Sequence, residues 1–384
     1  MAKWDWLTKP SEPYTWGFAL RVIVKATALF VLVNLVFALV QPVPALGHVS
    51  LYNTLLPGRD RLPYGENPAE SYNLSLYSLP AMFAAHEITR PKAPDEFRVV
   101  LLGDSGTWGW LLENDDTLSG QLNALDLRTN DGRRVVVYNL GYPIMSLTKD
   151  LLILERAMAY EPDLIVWLVT LESFPREQQL YPPIVQNNAA AVRRLIDTYN
   201  LALDPADPRL VETDFWQNTL VGQRRALADW MRLQLYAFPW AATGVDQAIP
   251  AEYTPRTSDF DEDVRWNGFD HPQPLTEDDL AFEVLRAGAE MAGDVPVWVV
   301  NEPMFISSGE NSDLRYNAFY PRWAYDDYRE QLTDMSESDG WRYLDLWDFL
   351  PPDEFTDSPV HTTPEGARLV AERLAQLFSE NSAF

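Results

Sequence analysis

The sequence predicts an α/β protein built on a parallel sheet with helices on both faces. Three observations predict it. Runs such as Val99–Leu102, Val135–Val137 and Leu164–Val169 are near-continuous in Val, Ile and Leu, as strands buried on both faces are. Helical stretches alternate with them. The first run ends in Gly103-Asp104-Ser105-Gly106, a glycine-flanked turn of the kind that presents a side chain at a sheet's carboxyl edge.

The chain opens with an apolar run. From Ala26 to Val40 every residue except Thr27 and Asn34 is apolar, and back to Phe18 the run covers 23 residues, interrupted by Arg21 and Lys25. That length suits a hydrocarbon core of about 30 Å at about 1.5 Å rise per residue. Arg21 and Lys25 stand one turn apart, so both can snorkel to one headgroup layer. A transmembrane helix is expected over residues 18–41. Lys3, Lys9, Arg21 and Lys25 precede the span or open it, which places residues 1–17 in the cytoplasm and the remainder outside. Two other readings compete: a cleaved signal peptide with Val-Pro-Ala near Ala45 as its cleavage site, and a buried core helix.

Pro42 and Pro44 end the span. Residues 42–95 lack sustained periodicity and read as an ordered linker, because Tyr72, Leu74, Leu76, Leu79, Met82 and Phe83 are poor residues to leave in water. The main domain is expected over 96–384. Strands are predicted at Phe97–Leu102, Arg134–Asn139, Asp163–Val169, Val295–Val300 and Trp341–Asp345. Helices are predicted from Thr117, a candidate N-cap, to about Leu127, and over Leu147–Tyr160, Asp278–Met291, Trp323–Ser338 and about Pro364–Phe378. Thr362-Thr363-Pro364-Glu365 combines a capping box with proline in the first turn.

An insertion at about 172–277 interrupts the alternation. Within it Arg224–Ala242 is helical in pattern, with a Trp/Leu/Met/Tyr/Phe face and arginines elsewhere. Such a helix can lie in a membrane interface, cover a site or pack on the core. Asp229 and Arg232 in its middle argue against a second span. Tyr253–Asp270 is acidic and loop-like.

Composition narrows the function. Thirty basic against 56 acidic residues give a net charge of −26, which repels phosphate backbones and argues against nucleic acid as a partner. There is no cysteine, which excludes disulfides and thiolate metal sites. Four histidines spread at 48, 86, 271 and 361 do not suggest a metal site, and no cofactor motif is read.

Ser105 after a strand is a candidate nucleophile, although Asp-Ser there is often only a turn or a cap. A nucleophilic serine needs a base, an orienting group and an oxyanion site. His361, on a loop entering the last helix, is a candidate base. Asp357 is a candidate partner for its Nδ1 proton.

Together these pieces resemble the SGNH (GDSL-type) hydrolases. The first block matches at Gly103-Asp104-Ser105. The second matches at Asn139-Leu140-Gly141-Tyr142-Pro143, and the last at Asp357 and His361 before a terminal helix entered through Thr363-Pro364-Glu365-Gly366. The resemblance covers about residues 96–171 and 290–384. It implies a flavodoxin-like three-layer α/β/α sandwich with strand order 2-1-3-4-5, Ser105 as nucleophile and His361 as base. It also implies that Gly141 offers a backbone N–H to the oxyanion. Two departures stand out. The aspartate lies four residues before the histidine rather than three, with Pro359 as an inserted residue. If it fails to reach, a Ser–His dyad remains. The third strand ends in Leu168-Val169-Thr170-Leu171-Glu172-Ser173, without the family's oxyanion asparagine. Thr170, Ser173 or Asn301 are candidate substitutes. Otherwise the hole rests on the N–H groups of Ser105 or Gly106 and of Gly141.

Asn301-Glu302 and the loop from Ser307 to Asp313 follow a strand, where a ligand-contacting loop or a polar turn is expected. Tyr316–Tyr328 reads as a carbohydrate platform or as helix packing, and Trp108 and Trp110 as an acyl pocket or as core. The expected function is a membrane-anchored extracytoplasmic serine esterase or O-acyltransferase acting on acyl esters of envelope polysaccharide or lipid. The alternative is a non-catalytic scaffold of the same fold that binds glycan or a partner protein.

Overall fold

The computed structural model describes residues 15–56, 58–64, 77–243, 249 and 251–380. Lys3, Lys9, Tyr72, Leu74 and Leu76 lie outside the described residues. The elements follow in chain order: α1 (Trp16–Val40), α2 (Val43–Leu46), α3 (Leu51–Leu55), α4 (Leu79–Ala85), β1 (Glu96–Leu102), α5 (Ser105–Trp108), α6 (Leu118–Ala124), β2 (Arg134–Asn139), α7 (Leu147–Ala157), β3 (Leu164–Val169), α8 (Pro183–Gln186), α9 (Ala189–Tyr199), α10 (Arg224–Thr243), α11 (Phe282–Ala292), β4 (Val297–Asn301), α12 (Arg322–Asp339), β5 (Arg342–Asp345) and α13 (Pro364–Glu380).

The five strands pair in parallel in the order β2-β1-β3-β4-β5, the topology that the resemblance implies. β1 and β3 are buried along their whole length, which accounts for their lack of alternation. The two faces carry separate cores. On one, Val100, Leu102, Ile165 and Trp167 meet α7, α11 and α12. On the other, Val99, Leu101, Val166 and Leu168 meet α6 and α13.

Local chemistry sets the boundaries. Thr117 caps α6, its Oγ1 accepting from Gly120 N at 3.1 Å. The expected helix at Asp278 begins later, at Phe282. Asp279 Oδ2 accepts from Thr276 N at 2.8 Å and from its Oγ1 at 2.7 Å, which folds those residues into a turn instead. The insertion holds α8 and α9, neither of which was expected. α9 buries Ala189, Val192, Leu195 and Ile196.

α1 stands mostly clear of the rest. Only Asn34 and Ala38 of it are buried, so it is not the core helix of the competing reading. It is long and apolar enough to cross a membrane by length and composition.

The segment before β1 is bound to the domain. Leu79, Met82 and Phe83 are buried in the α7-side core. Arg98, fully buried in β1, ties this segment down. Its guanidinium donates to Glu96 Oε1 at 2.7 Å, to the carbonyls of Ile88 at 3.2 Å and Arg90 at 3.3 Å, and to that of Tyr160 after α7 at 2.8 Å. Truncating one partner of a buried ion pair strands the other. Arg98→Ala is therefore expected to destabilise the domain by about 3–5 kcal/mol. Urea unfolding of the full chain in detergent checks this, and a loss within the range of an ordinary surface substitution contradicts it.

Candidate active site

β1 ends where the site begins. Gly103 takes φ 154°, and a Cβ there would lie 2.2 Å from Thr107 Oγ1, so only glycine lets the chain turn this tightly out of the sheet. Asp104 caps the four-residue α5, its Oδ1 accepting from Gly106 N at 2.7 Å. Ser105 is thereby the first residue of α5, at the carboxyl edge of the sheet.

The other half of the site sits on the loop before α13. Phe355 and Thr362 pair in an antiparallel bridge, and Thr356 N donates to His361 O at 2.8 Å. The loop is thus pinched at its base. Arg256, from the insertion, braces it by donating to the carbonyls of Phe355 and Pro352. The pinch brings Asp357 and His361 together despite their spacing. Their Oδ1 and Nδ1 lie 2.8 Å apart. His361 Nε2 lies 2.8 Å from Ser105 Oγ. With Asp357 on Nδ1, the tautomer with its acceptor at Nε2 faces the serine hydroxyl. Burial raises the pKa of Asp357, but the hydrogen bond and charge of His361, with a further bond from Thr356, hold it below the usual carboxylate value.

Two tryptophans divide their roles. Trp108 is core, its Nε1 donating to Leu62 O at 2.9 Å. Trp110 stacks on the His361 ring, with centroids 5.6 Å apart and planes 24° apart.

The expected oxyanion donors are placed otherwise. Gly141 N donates to Asn139 Oδ1 at 3.0 Å, so its N–H is already committed. Its lack of a side chain has a packing cause: a Cβ would lie 2.6 Å from Trp108 N. Thr170 is fully buried and its Oγ1 donates to Tyr320 OH at 2.9 Å. Asn301 turns away from Ser105. Its Nδ2 donates to Asp345 Oδ1 at 2.8 Å, and its Oδ1 accepts from the hydroxyls of Tyr325 at 3.3 Å and Tyr328 at 3.2 Å. Ser173 is buried within the turn after β3. With Gly106 N held by Asp104, the N–H of Ser105 itself is the member of that set left without a protein acceptor among the described residues.

The aromatic stretch is packing rather than a platform, since Tyr316, Tyr320, Tyr325 and Tyr328 are all buried. The loop from Ser307 to Asp313 is bonded to the insertion. Asn311 Nδ2 donates to Phe260 O at 2.7 Å, and Glu310 N to Asp259 Oδ1 at 2.9 Å.

Sequence reasoning missed a buried polar layer beneath Ser105. Lys149, with no exposed surface, donates to Gly103 O and Tyr142 O, each at 2.7 Å, and pairs with Asp150 Oδ1 at 2.8 Å. Asp150 Oδ2 accepts from Trp167 Nε1 at 3.1 Å, and burial pushes this carboxyl up to about 6. Glu302 and Asp104 flank Gly106. A Cβ on that glycine would lie 3.3 Å from Asp104 Oδ1 and 3.5 Å from Glu302 Oε2. Burial, reinforced by the charge of Asp104, raises Glu302 well above its usual value, with Lys149 opposing the shift. The shift favours the protonated form of Glu302 beside the Asp104 carboxyl that caps α5. The available signal was Lys149 itself. A lysine in phase with Leu152 and Ile153 on a core-facing helix requires buried acceptors.

No protein-family profile matches the chain, and no curated protein matches it in sequence. Among solved structures it is similar to a member of the lipolytic protein G-D-S-L family from Veillonella parvula, at 12% identity and a TM-score of 0.35, over 74% of this chain and 99% of that one. It is similar to a carbohydrate acetylesterase family member from Sinorhizobium meliloti at 12% identity and a TM-score of 0.33, over 75% and 100%. The aryl esterase of M. smegmatis gives 11% and 0.32, over 74% and 98%. Likenesses this distant carry no function.

The raised Glu302 binds a proton more tightly in the folded state than in the unfolded one. Its contribution to stability is complete below its ordinary value of 4.5 and is lost as pH rises toward the folded value. Glu302→Gln keeps a donor toward Asp104 and removes the titration. Thermal melts from acidic to alkaline pH should therefore show the wild type losing ground to the variant as pH rises above that value. A difference constant with pH contradicts a protonated Glu302.

Proposed function

We propose that this chain is a serine esterase or O-acyltransferase of SGNH type, tethered to a membrane by α1. Positive-inside then places residues 1–17 in the cytoplasm and the α/β domain outside. The observation that carries the chemistry is the continuous path from Asp357 through His361 to Ser105, with 2.8 Å at each step.

In this reading Ser105 Oγ attacks the carbonyl carbon of an ester while His361 Nε2 takes its proton. The tetrahedral oxyanion is met by the N–H of Ser105 at the start of α5. Collapse expels the alcohol, which takes the proton from His361 and leaves an acyl-serine. Water or an acceptor hydroxyl then gives its proton to His361 and attacks the acyl carbon, and collapse breaks the acyl–Oγ bond as His361 returns the proton to Ser105. Asp357 holds the ring and stabilises the imidazolium formed in each half-reaction. An extracytoplasmic domain held at a membrane meets acylated envelope polysaccharide and lipid esters, and these are the proposed substrates.

A scaffold that binds without turnover is the second reading. The commitments of Gly141, Thr170 and Asn301 favour it, because they withhold the additional oxyanion donors. The coupled Ser105–His361 contact weighs against it, since a binding site has no need to poise an imidazole on a serine hydroxyl.

The full chain in detergent, offered short p-nitrophenyl esters and a fluorophosphonate probe, separates the two. The enzyme reading expects turnover and labelling, both abolished by Ser105→Ala. Asp357→Asn is expected to lower kcat by about 10⁴-fold with the fold intact. Turnover that survives Ser105→Ala overturns the assignment. Absence of labelling in the wild type favours the scaffold.

A further inference from the structure

The insertion helix presents two faces of unlike character. Leu227, Trp230, Leu233 and Gln234 face the protein. Leu233 and Gln234 are buried, Trp230 Nε1 donates to Val49 O at 3.3 Å, and Gln234 Oε1 accepts from Leu51 N at 2.8 Å. Met231, Leu235 and Phe238 recur at the helical spacing of four and three on the outward face. They are 55%, 64% and 43% exposed. In this acidic chain the helix is nonetheless basic, with Arg224, Arg225 and Arg232 against Asp229 alone. On a helical wheel Arg225 and Arg232 lie beyond one edge of the apolar stripe, and Arg224 stands in line with Met231 and Phe238 at its amino-terminal end. Asp229 turns inward toward Arg232, 3.3 Å away, and is less exposed than it.

Position gives this face a partner. Just before α10, Val221 N donates to Asn34 Oδ1 of α1 at 3.1 Å. Phe215, Trp216 and Val221, in the same segment, are exposed, Trp216 by 72%. Asn34 lies seven residues before the end of the expected 18–41 span, about 10 Å at 1.5 Å per residue, so this contact holds the segment beside the outer end of α1, at the depth of an interfacial helix. An exposed apolar stripe with arginines beyond one edge, and with aromatic residues beside it, suits the headgroup region of an anionic membrane.

We propose that α10 and the preceding residues 215–221 form a lipid-binding foot that rests on an anionic bilayer surface beside α1. This rests on the reading of α1 as a membrane anchor, and both halves are testable separately. The foot holds the α/β domain against the surface, where a single helix would leave it free to tilt. Binding uses the apolar stripe for insertion and Arg224, Arg225 and Arg232 for headgroup phosphates.

The chain has no cysteine, so single labels can be placed without background. Met231→Cys, Leu235→Cys and Phe238→Cys variants of the full chain, carrying an environment-sensitive NBD fluorophore, are reconstituted into phosphatidylcholine vesicles with phosphatidylglycerol and spin-labelled acyl chains. Asp131→Cys, on the turn before β2, serves as the aqueous control, and Phe30→Cys reports on α1. The foot predicts blue-shifted emission, quenched by the lipid label, at all three stripe positions and not at Asp131. It also predicts loss of that quenching when the three arginines are changed to glutamate. Stripe labels that behave like Asp131 while Phe30→Cys is quenched overturn the foot and leave the anchor standing. Quenching at the stripe with a solvent-exposed Phe30→Cys label supports the foot and overturns the anchor. Stripe labels shielded without lipid quenching, in a protein that sediments as a dimer, assign the stripe to a second copy and overturn the foot. Quenching unchanged by the arginine variant overturns the anionic surface as its partner.

Discussion

The buried ammonium of Lys149 is the constraint on which the site depends. An ammonium carries three donors, and an unpaired buried charge costs several kcal/mol. Here two donors have acceptors, Gly103 O after β1 and Tyr142 O after β2, and Asp150 beside it on α7 balances the charge at 2.8 Å. One side chain thereby fixes the distance between the two loops at the carboxyl edge and the helix that crosses beneath them. Gly103 is the residue from which the chain turns into Ser105, so the position of Ser105 follows from how this cation is satisfied. The same layer explains the stacked acids. Asp104 must face Gly106 N to cap α5, and Glu302 can sit beside it in a dry site only by keeping its proton.

The sheet was legible because its strands are buried on both faces, and a run such as Leu164–Val169 has few other uses. The locations of Ser105 and His361 were legible for a related reason. Each stands at a junction between a periodic element and a turn, and the residues at such junctions are constrained locally. Whether Asp357 reaches His361 was not legible. The answer depends on a bridge between Phe355 and Thr362 and on Arg256, which arrives from a distant part of the chain. Gly141, Thr170 and Asn301 mark the limit more sharply. All three stand at strand ends where an oxyanion donor belongs, and the sequence cannot say which neighbour claims their hydrogen bonds. Asn301 is claimed by Asp345 and two tyrosines of α12, a choice made by packing across the sheet. Trp110 could not be told from Trp108 by position, since both lie within five residues of Ser105, and Trp108 alone bonds to Leu62 while Trp110 stacks on His361.

The closed ends of β3 and β4 bear on which acyl acceptor the site favours. Where a side-chain donor would complete an oxyanion hole, Tyr320, Tyr325 and Tyr328 instead seal the carboxyl edge with hydrogen bonds among buried groups. Loss of one such donor costs about 10²–10³ in rate, and that cost falls on each tetrahedral intermediate. A bound acceptor hydroxyl can recover it through proximity, which is worth about 7–11 kcal/mol when the reacting atoms are well oriented, whereas unpositioned water gains little from it. In the proposed reaction the missing donor costs hydrolysis and transfer alike, and only positioning of the acceptor separates the two. Trp110 covers one face of the His361 ring, while Nε2 faces Ser105 Oγ. Under the proposed function, this arrangement suits transfer to a bound hydroxyl as well as hydrolysis.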